Sequence, residues 1–181
     1  MTSILKVDSI QTAAGTAAMT IDSSGHYVAN TRWLAIHKNG NQSVSSGAST
    51  GLNTWTVTGS NGLTWNGTNH RLDITSATAG IYYINFQLSV FSNSNNMGDV
   101  RARVRKNGAV EFGAYNLVVQ GSTGSNPFDL RHATYNSSGI VTVANGDNID
   151  FNCIIVGGSP SVYAGDGQGQ RATHAFIQQI G

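Results

Sequence analysis

Residues 80–90 alternate between apolar and polar side chains, and this alternation constrains the fold more than any other feature of the chain. The apolar set is Tyr82, Ile84, Phe86, Leu88 and Val90. The polar set between them is Asn85, Gln87 and Ser89. Successive side chains of a strand point to opposite faces, so the pattern predicts a strand with one face in a hydrophobic core.

The next strand repeats the pattern. Its expected inward residues are Val100, Ala102 and Val104. Its expected outward residues are Arg101, Arg103 and Arg105, which we call the arginine row. The pair Asn107-Gly108 follows, and this pair is a strong signal for a tight hairpin turn.

Strand signals recur from residue 31 onward, separated by turns rich in Gly and Asn. The predicted strands are 32–38, 54–58, 70–75, 81–91, 100–106, 110–120, 139–144, 149–156 and 172–180. No helical periodicity competes with them. Eight or nine strands in roughly 150 residues favour two packed sheets over one open sheet. We therefore predict an all-β, antiparallel two-sheet jelly-roll sandwich with a short extended N-terminal segment.

The chain carries little charge. Ten Lys and Arg oppose nine Asp and Glu, the net charge is +1, and charged residues make up 10% of the sequence. A nearly neutral chain has no long-range field that would attract nucleic acid or an anionic membrane, so we expect neither partner. Low charge also leaves strand edges unguarded, which favours their closure by oligomerisation.

The single Cys153 lies in an apolar run, which predicts a buried, inert thiol. The first ten residues lack the apolar stretch of a secretory signal. No apolar run reaches the ~18 residues that a membrane-spanning helix needs. These features predict a soluble protein without membrane insertion.

Residues 1–30 are rich in small residues and weakly patterned, unlike the rest of the chain. Their apolar residues are few, and they include Ile4, Leu5, Val7 and Ile10. Such a segment buries too little surface to offset about 1 to 2 kcal/mol of backbone entropy per residue by itself. We predict a docking or oligomerisation segment at 1–30, which orders against a partner or against copies of itself, and a head domain at 31–181.

The predicted strand 149–156 is apolar on both faces near its end. Ile154 and Val156 point away from the expected core and would be exposed in a monomer. An apolar patch on the second face of a sandwich sheet is typical of a subunit contact. We therefore predict a buried interface at these two residues.

Four motifs, in order, resemble the superfamily of complement globular heads and tumour necrosis factors. Residues 80–86 resemble its Gly-x-Tyr-x-Phe strand, and Asn107-Gly108 resembles the turn that follows. Residues 143–149 resemble its Gly-Asp turn, and residues 174–177 resemble its aromatic last strand.

This resemblance spans residues 32–181. It implies a ten-strand jelly roll that trimerises about its long axis, with ligand specificity in exposed loops. It also places His174 and Phe176 at the trimer interface, close to the three-fold axis. The last strand departs from the superfamily pattern, because it has one aromatic residue and no Gly where that pattern has Ser-Phe-x-Gly-Phe.

Residues 3–21 resemble the opening of structural proteins from tailed phages, notably those of marine and cyanobacterial phages. The resemblance is short and lies in composition and patterning rather than in a specific motif. Together with a trimeric head, it implies a virion protein whose N-terminus docks on the particle through Ile4, Leu5, Val7 and Ile10.

Catalytic and metal chemistry find no support in the residue pattern. The histidines lie singly, without metal-site spacing and without a Cys pair. No two carboxylates are assignable to one glycosidase site. The Gly-rich stretch 165–170 lacks the Lys of a phosphate loop, and Asp166 in it is a surface carboxylate or a Ca²⁺ ligand. We predict no catalytic residue, no cofactor and no metal.

Two features predict a ligand surface. The side chains of the arginine row follow one another at ~7 Å along a strand face, which suits an acidic sugar or the acidic residues of a neighbouring subunit. Tyr163 and Asp166 flank an exposed loop and complete the predicted ligand surface. Trp33, Trp55 and Trp65 offer further aromatic faces for sugars, although core packing is the more common role of Trp.

These observations favour a non-enzymatic virion structural protein, a homotrimeric tail or neck fibre with a host-surface-binding head. The alternative is a capsid or tail decoration protein that clamps neighbouring virion subunits. The expected partners are two further copies of the chain, another virion protein bound by the N-terminal segment, and a host surface glycan or protein. The expected location is the virion.

Overall fold

A computed structural model describes residues 31–92, 97–114, 132–165 and 171–181 in full. It also describes the backbone of strands at 9–11, 17–21, 27–29 and 115–117. In these ranges the regular structure is entirely β, and the strands pair antiparallel. The all-β prediction is therefore confirmed.

The N-terminal strands pair among themselves. They are β1 (Ser9–Gln11), β2 (Ala17–Ile21) and β3 (Tyr27–Ala29). They form a three-stranded antiparallel sheet in chain order. The sequence predicted a short extended segment here, and the described backbone is extended and pairs locally.

The head consists of two further sheets. The first has seven strands, in the order β5-β15-β10-β16-β4-β7, with β13 on the other side of β10, and we call it the β10 sheet. Its strands are β4 (Trp33–Lys38), β5 (Gln42–Ser43), β7 (Trp55–Asn61), β10 (Gly80–Ser92), β13 (His132–Val143), β15 (Pro160–Val162) and β16 (His174–Gln179).

The second sheet has six strands, in the order β12-β11-β14-β9-β8, with β6 also paired to β14, and we call it the β11 sheet. Its strands are β6 (Thr50–Gly51), β8 (Trp65–Asn66), β9 (Arg71–Asp73), β11 (Asp99–Lys106), β12 (Ala109–Leu117) and β14 (Asn148–Val156). The turn from β11 to β12 is made by Asn107 and Gly108 at φ of 53° and 80°, as the Asn-Gly pair predicted.

The core lies between the two sheets and is built as the alternation predicted. From β10 it takes Tyr82, Ile84, Phe86, Leu88 and Val90, all at most 1% exposed. From β11 it takes Val100, Ala102 and Val104, all fully buried. Cys153 is buried as well, and burial raises the pKa of its thiol to about 12.

Aromatic rings join the sheets at the centre of the core. The ring centroids of Phe86 and Phe151 are 4.8 Å apart, and Trp55 lies 5.4 Å from Phe151. Trp65 packs against Trp55 at 6.0 Å. Two of the three Trp residues are therefore core residues and present no face to a ligand, whereas Trp33 is half-buried.

The strand registers define two ends of the β10 sheet. The chain enters the head at β4 and leaves it at β16, where Trp33 pairs with Gln178. Ile81 N–H donates to the carbonyl of Gly181, so the start of β10 lies at the same end, which we call the base. The end of β10 and the start of β13 lie at the opposite end, which we call the distal end.

Candidate functional site

The outer face of the β10 sheet, the face turned away from the core, carries the candidate site. Across the strands the registers align its side chains in rows. The row nearest the base contains Ile140, Tyr83, Gln178 and Trp33. The next row contains Ser138, Asn85, Phe176 and Ala35. The third row contains Asn136, Gln87, His174 and His37. The rows pass from apolar at the base to polar toward the distal end.

The base of this face exposes large apolar side chains. Ile81 is 39% exposed, Tyr83 36% and Ile140 65%, and Tyr83 pairs with Ile140 across β10 and β13. We call these three residues the base patch. Beside it, Trp33 stacks on Phe176 with ring centroids 6.3 Å apart. Contiguous exposed apolar side chains of this kind mark interaction surfaces.

The distal end of the same face contains a cavity of about 400 Å³, within the size range of small-molecule sites. We call it the distal pocket. Its polar and aromatic lining residues are Gln87, Ser89, His132, Thr134, Tyr163 and Arg171. They come from β10, from β13, from the segment after β15 and from the segment before β16.

Three rings shape one side of the distal pocket. Phe91 stacks on His132 with centroids 5.9 Å apart, and it meets Tyr163 edge to face at 5.7 Å. His132 and Tyr163 are themselves 6.3 Å apart at an interplanar angle of 77°. The two pocket rings therefore form a corner that Phe91 holds in place.

Hydrogen bonds fix the polar floor. The Ser89 hydroxyl and the Gln87 Nε2 both donate to the carbonyl of Ala172, each at 2.8 Å. Ser89 Oγ also lies 2.8 Å from Thr134 Oγ1. The buried Thr173 hydroxyl, 2.7 Å from the Tyr163 carbonyl, ties the segment that bears Tyr163 to the start of β16.

Arg171 is the one permanent cation among the described lining residues of the distal pocket. Arg171 at the rim forms no ion pair with any acidic residue in the described part of the chain, and the described lining residues include no carboxylate. Burial, and then the charges of Arg171 and His174, lower the pKa of His37, which lies opposite His174. His37 Nδ1 is 2.9 Å from Thr58 Oγ1.

The arginine row lies on the β11 sheet, away from the distal pocket. Arg101 pairs with Asp99 at 2.7 Å and Arg105 with Asp150 at 2.6 Å, both within the chain. Arg103 forms no ion pair with an acidic residue among the described ones. The row therefore does not present three uncompensated cations to a ligand, although Arg101 and Arg103 border a groove of about 360 Å³.

The four predicted interface residues do not lie together. Ile154 and Val156 are in β14 of the β11 sheet, where they pair with Arg101 and Asp99. Ile154 is half-buried and Val156 is 39% exposed. His174 and Phe176 are in β16 on the outer face of the other sheet. The structure thus separates the predicted interface into two surfaces on opposite sides of the sandwich.

The predicted ligand residues are separated in the same way. Tyr163 lines the distal pocket, whereas the arginine row is on the other sheet. Asp166 lies outside the described residues. So do the predicted docking residues Ile4, Leu5 and Val7, and Ile10 is described only as part of the backbone of β1.

Sequence reasoning did not identify His132, Arg171 and Ser89 as members of one site. Each was a single polar residue in a separate stretch of sequence. The available signal was the polar side of the alternation in β10, which places Gln87 and Ser89 on one outward face. Nothing local indicated which residues of other strands would join them.

The described residues contain no group of three His, Cys, Asp or Glu side chains placed to hold a metal ion. The described segments also form no helix that could span a lipid bilayer.

The class of fold is a two-sheet jelly roll of the tumour-necrosis-factor type. Murine APRIL, crystallised at pH 8.0, is similar to this chain with a TM-score of 0.57 and 14% identity, over 83% of this chain and 99% of its own. The Eiger TNF from S. frugiperda is similar with a TM-score of 0.53 and 14% identity, over 83% and 93%. The globular domain of zebrafish complement 1qA gives a TM-score of 0.49 and 12% identity, over 82% and 94%.

The likenesses to APRIL and to the Eiger TNF confirm the jelly-roll fold that the sequence motifs implied. No protein-family model matches the sequence, and no curated protein matches it at the sequence level.

Proposed function

We propose that this chain is the subunit of a non-enzymatic, homotrimeric virion protein, a tail or neck fibre whose head binds a host surface. The observation that carries the proposal is the arrangement of one sheet face in a tumour-necrosis-factor-type jelly roll. That face exposes an apolar patch at its base and holds an open polar pocket at its distal end.

The base patch supports self-association. Ile140 at 65% exposure and Tyr83 at 36% are neighbours across two strands, so in an isolated subunit they would leave contiguous apolar surface in water. Burial of apolar area in a symmetric contact offsets this cost at about 25 cal/mol per Å². The sequence resemblance to a superfamily of trimers makes three the expected number of copies.

The direction of the strands supports attachment at the base. The first strand of the two-sheet head, β4, starts at Trp33, and Trp33 lies at the base. An N-terminal segment that docks on a particle would therefore leave the distal pocket pointing away from it. This polarity is what a fibre needs, because the anchor and the binding surface must be at opposite ends.

The virion context rests on residues 3–21, whose composition and patterning are similar to those of structural proteins of tailed phages. The low charge of the chain gives no long-range attraction to nucleic acid, which agrees with a surface-binding role. Weak single sites become effective when three copies act together.

The assembly claim is tested by mass measurement in solution. The wild-type chain should be a trimer at micromolar concentration, and Ile140→Asp should shift it to a folded monomer, because a carboxylate is costly to bury at the base patch. The matched control is Val110→Asp, which changes a 51% exposed residue on the β11 sheet and should leave the trimer intact. A monomeric wild-type chain of 19.0 kDa would refute the proposal.

The binding claim is tested by competition. Purified trimer should bind host cells and block adsorption of the parent particle. A trimer that binds only particles, and leaves adsorption unchanged, would instead indicate a decoration protein that clamps neighbouring subunits.

A further inference from the structure

We infer that the distal pocket binds a sugar that carries a carboxylate, of the hexuronic acid class. The inference deepens the proposed function and rests on it in one respect, because it names what a host-binding head would recognise. It is carried by three properties of the pocket: its pre-formed shape, its hydrogen-bonding capacity and its charge.

The shape is set before a ligand arrives. His132 and Tyr163 meet at 77°, and Phe91 contacts both rings, so neither ring needs to reorient on binding. Two ring faces at such an angle form an apolar corner. The C–H face of a pyranose ring packs against aromatic carbon through dispersion, and a cavity of about 400 Å³ accommodates a ligand of this size.

The hydrogen-bonding capacity follows from where the hydroxyl protons go. A carbonyl oxygen can only accept, so Ser89 must donate its proton to the carbonyl of Ala172. Thr134 is then the donor in the 2.8 Å bond between the two hydroxyls. Both protons are used inside the protein, and the Thr134 oxygen faces the pocket only as an acceptor.

Gln87 adds a second acceptor. One N–H of its Nε2 donates to the same Ala172 carbonyl, which leaves Oε1 and the second N–H of Nε2 available to a ligand. A floor that offers two acceptors and one donor suits a ligand whose groups both donate and accept hydrogen bonds. The hydroxyl groups of a sugar do so, whereas a simple anion or an apolar molecule does not.

The positive charge of Arg171 adds a preference for a ligand that carries a carboxylate. Arg171 is the cation at the rim, and none of the described lining residues is acidic. A guanidinium binds a carboxylate through two parallel hydrogen bonds. The ligand that satisfies the polar floor and the cationic rim together is a polyhydroxylated ring with one carboxylate.

The test is a ligand-observed NMR titration of the intact trimer with three probes: glucuronic acid, glucose and acetate. Glucuronic acid should bind at least about tenfold more tightly than either of the others, because only it offers both ring hydroxyls and a carboxylate. Equal binding of glucose and glucuronic acid would overturn the assignment of the charge.

Four variants localise the binding. Arg171→Gln should weaken glucuronic acid by about tenfold or more, and Thr134→Val should weaken it severalfold. The control for charge is Arg103→Gln on the β11 sheet, and the control for the hydroxyl is Thr142→Val on the same strand as Thr134. Both controls should bind like the wild type. Loss of binding in Arg103→Gln but not in Arg171→Gln would overturn the inference in favour of the groove on the other sheet.

Failure of this inference and failure of the proposed function give different results. If a neighbouring copy fills the pocket, glucuronic acid will not bind and Arg171→Gln will weaken the trimer, which overturns the inference while the trimeric head stands. If the trimer blocks adsorption but binds no glucuronic acid, the same conclusion follows. If the chain is a monomer that binds glucuronic acid, the inference stands and the proposed assembly fails.

Discussion

A buried lysine makes the stability of the head depend on alkaline pH in an unusual direction. Lys38 is 1% exposed. Its Nζ donates to Gln42 Oε1 at 2.9 Å, to the Asn53 carbonyl at 2.6 Å and to Thr54 Oγ1 at 2.8 Å. These partners are neutral, and burial lowers the pKa of the ammonium from 10.5 to about 8.

The sign follows from the proton count. Between pH 8 and 10.5 Lys38 is largely deprotonated in the folded chain and still protonated in the unfolded chain. The unfolded state binds more protons, so the free energy of unfolding rises with pH in this window. From pH 7 to pH 9 the contribution of Lys38 is about 1.3 kcal/mol, at 1.36 kcal/mol per pKa unit.

Cys153 changes the free energy of unfolding in the opposite direction, so its contribution is counted separately from that of Lys38. Burial raises the pKa of its thiol from 9.0 to about 12, so its thiolate forms first in the unfolded chain. This lowers the free energy of unfolding by about 0.4 kcal/mol over the same interval. From these two groups the wild type should gain about 0.9 kcal/mol, whereas Lys38→Met should lose about 0.4 kcal/mol.

The measurement is urea denaturation at pH 7, 8 and 9, followed by the fluorescence of the buried residues Trp55 and Trp65. All samples need the same protein concentration, because the stability of an oligomer depends on it. Lys106→Met is the control that removes a lysine from a less buried position. If wild type and Lys38→Met respond equally to pH, burial does not disfavour the ammonium and the reasoning is refuted.

Three further predictions concern the core, a tight contact and acid sensitivity. Phe86→Ala should lower the free energy of unfolding by about 3 to 5 kcal/mol in denaturant titrations, because the ring is fully buried. Gly139→Ala should lower the Tm, since a Cβ there would lie 2.8 Å from the ring of Phe112, and Phe112→Leu should restore part of the loss. Burial lowers the pKa of His37 below 6.5, so on acidification the unfolded state takes up the proton first. Thermal scans should therefore show the Tm falling below pH 6.5. The fall should be less steep in His37→Gln.

The sandwich was predictable because its strands carry strong local signals. The alternation in β10 and β11 correctly assigned every core residue of those two strands, and the Asn-Gly pair marked the turn between β11 and β12. The first half of β13 was missed: the structure begins it at His132, whereas the sequence predicted a strand from 139. Residues 132–138 have weak apolar alternation, and they are extended because they pair with β10 along its length.

The site was far less predictable, because its members come from separate elements. Periodicity shows which side chains share a face of one strand, but it does not show which strands become neighbours. Tyr163 was predicted as a ligand residue, and the pairing of β13 with β10 was needed to bring His132 and Thr134 beside Ser89. The arginine row illustrates the opposite case. Its outward direction was correct, yet Asp99 and Asp150 pair with two of its three members.

The outer face of the β10 sheet shows how a nearly neutral chain can still recognise a charged ligand. A net charge of +1 provides no long-range attraction, but the field that a bound group senses is local, and at the distal pocket it is set by Arg171 without a described acidic neighbour. Association through the base patch would then carry three such pockets at one end of the assembly. Each pocket would bind weakly and with little salt-dependent steering, so the affinity of the head would come from simultaneous engagement of several ligands on one surface rather than from any single pocket.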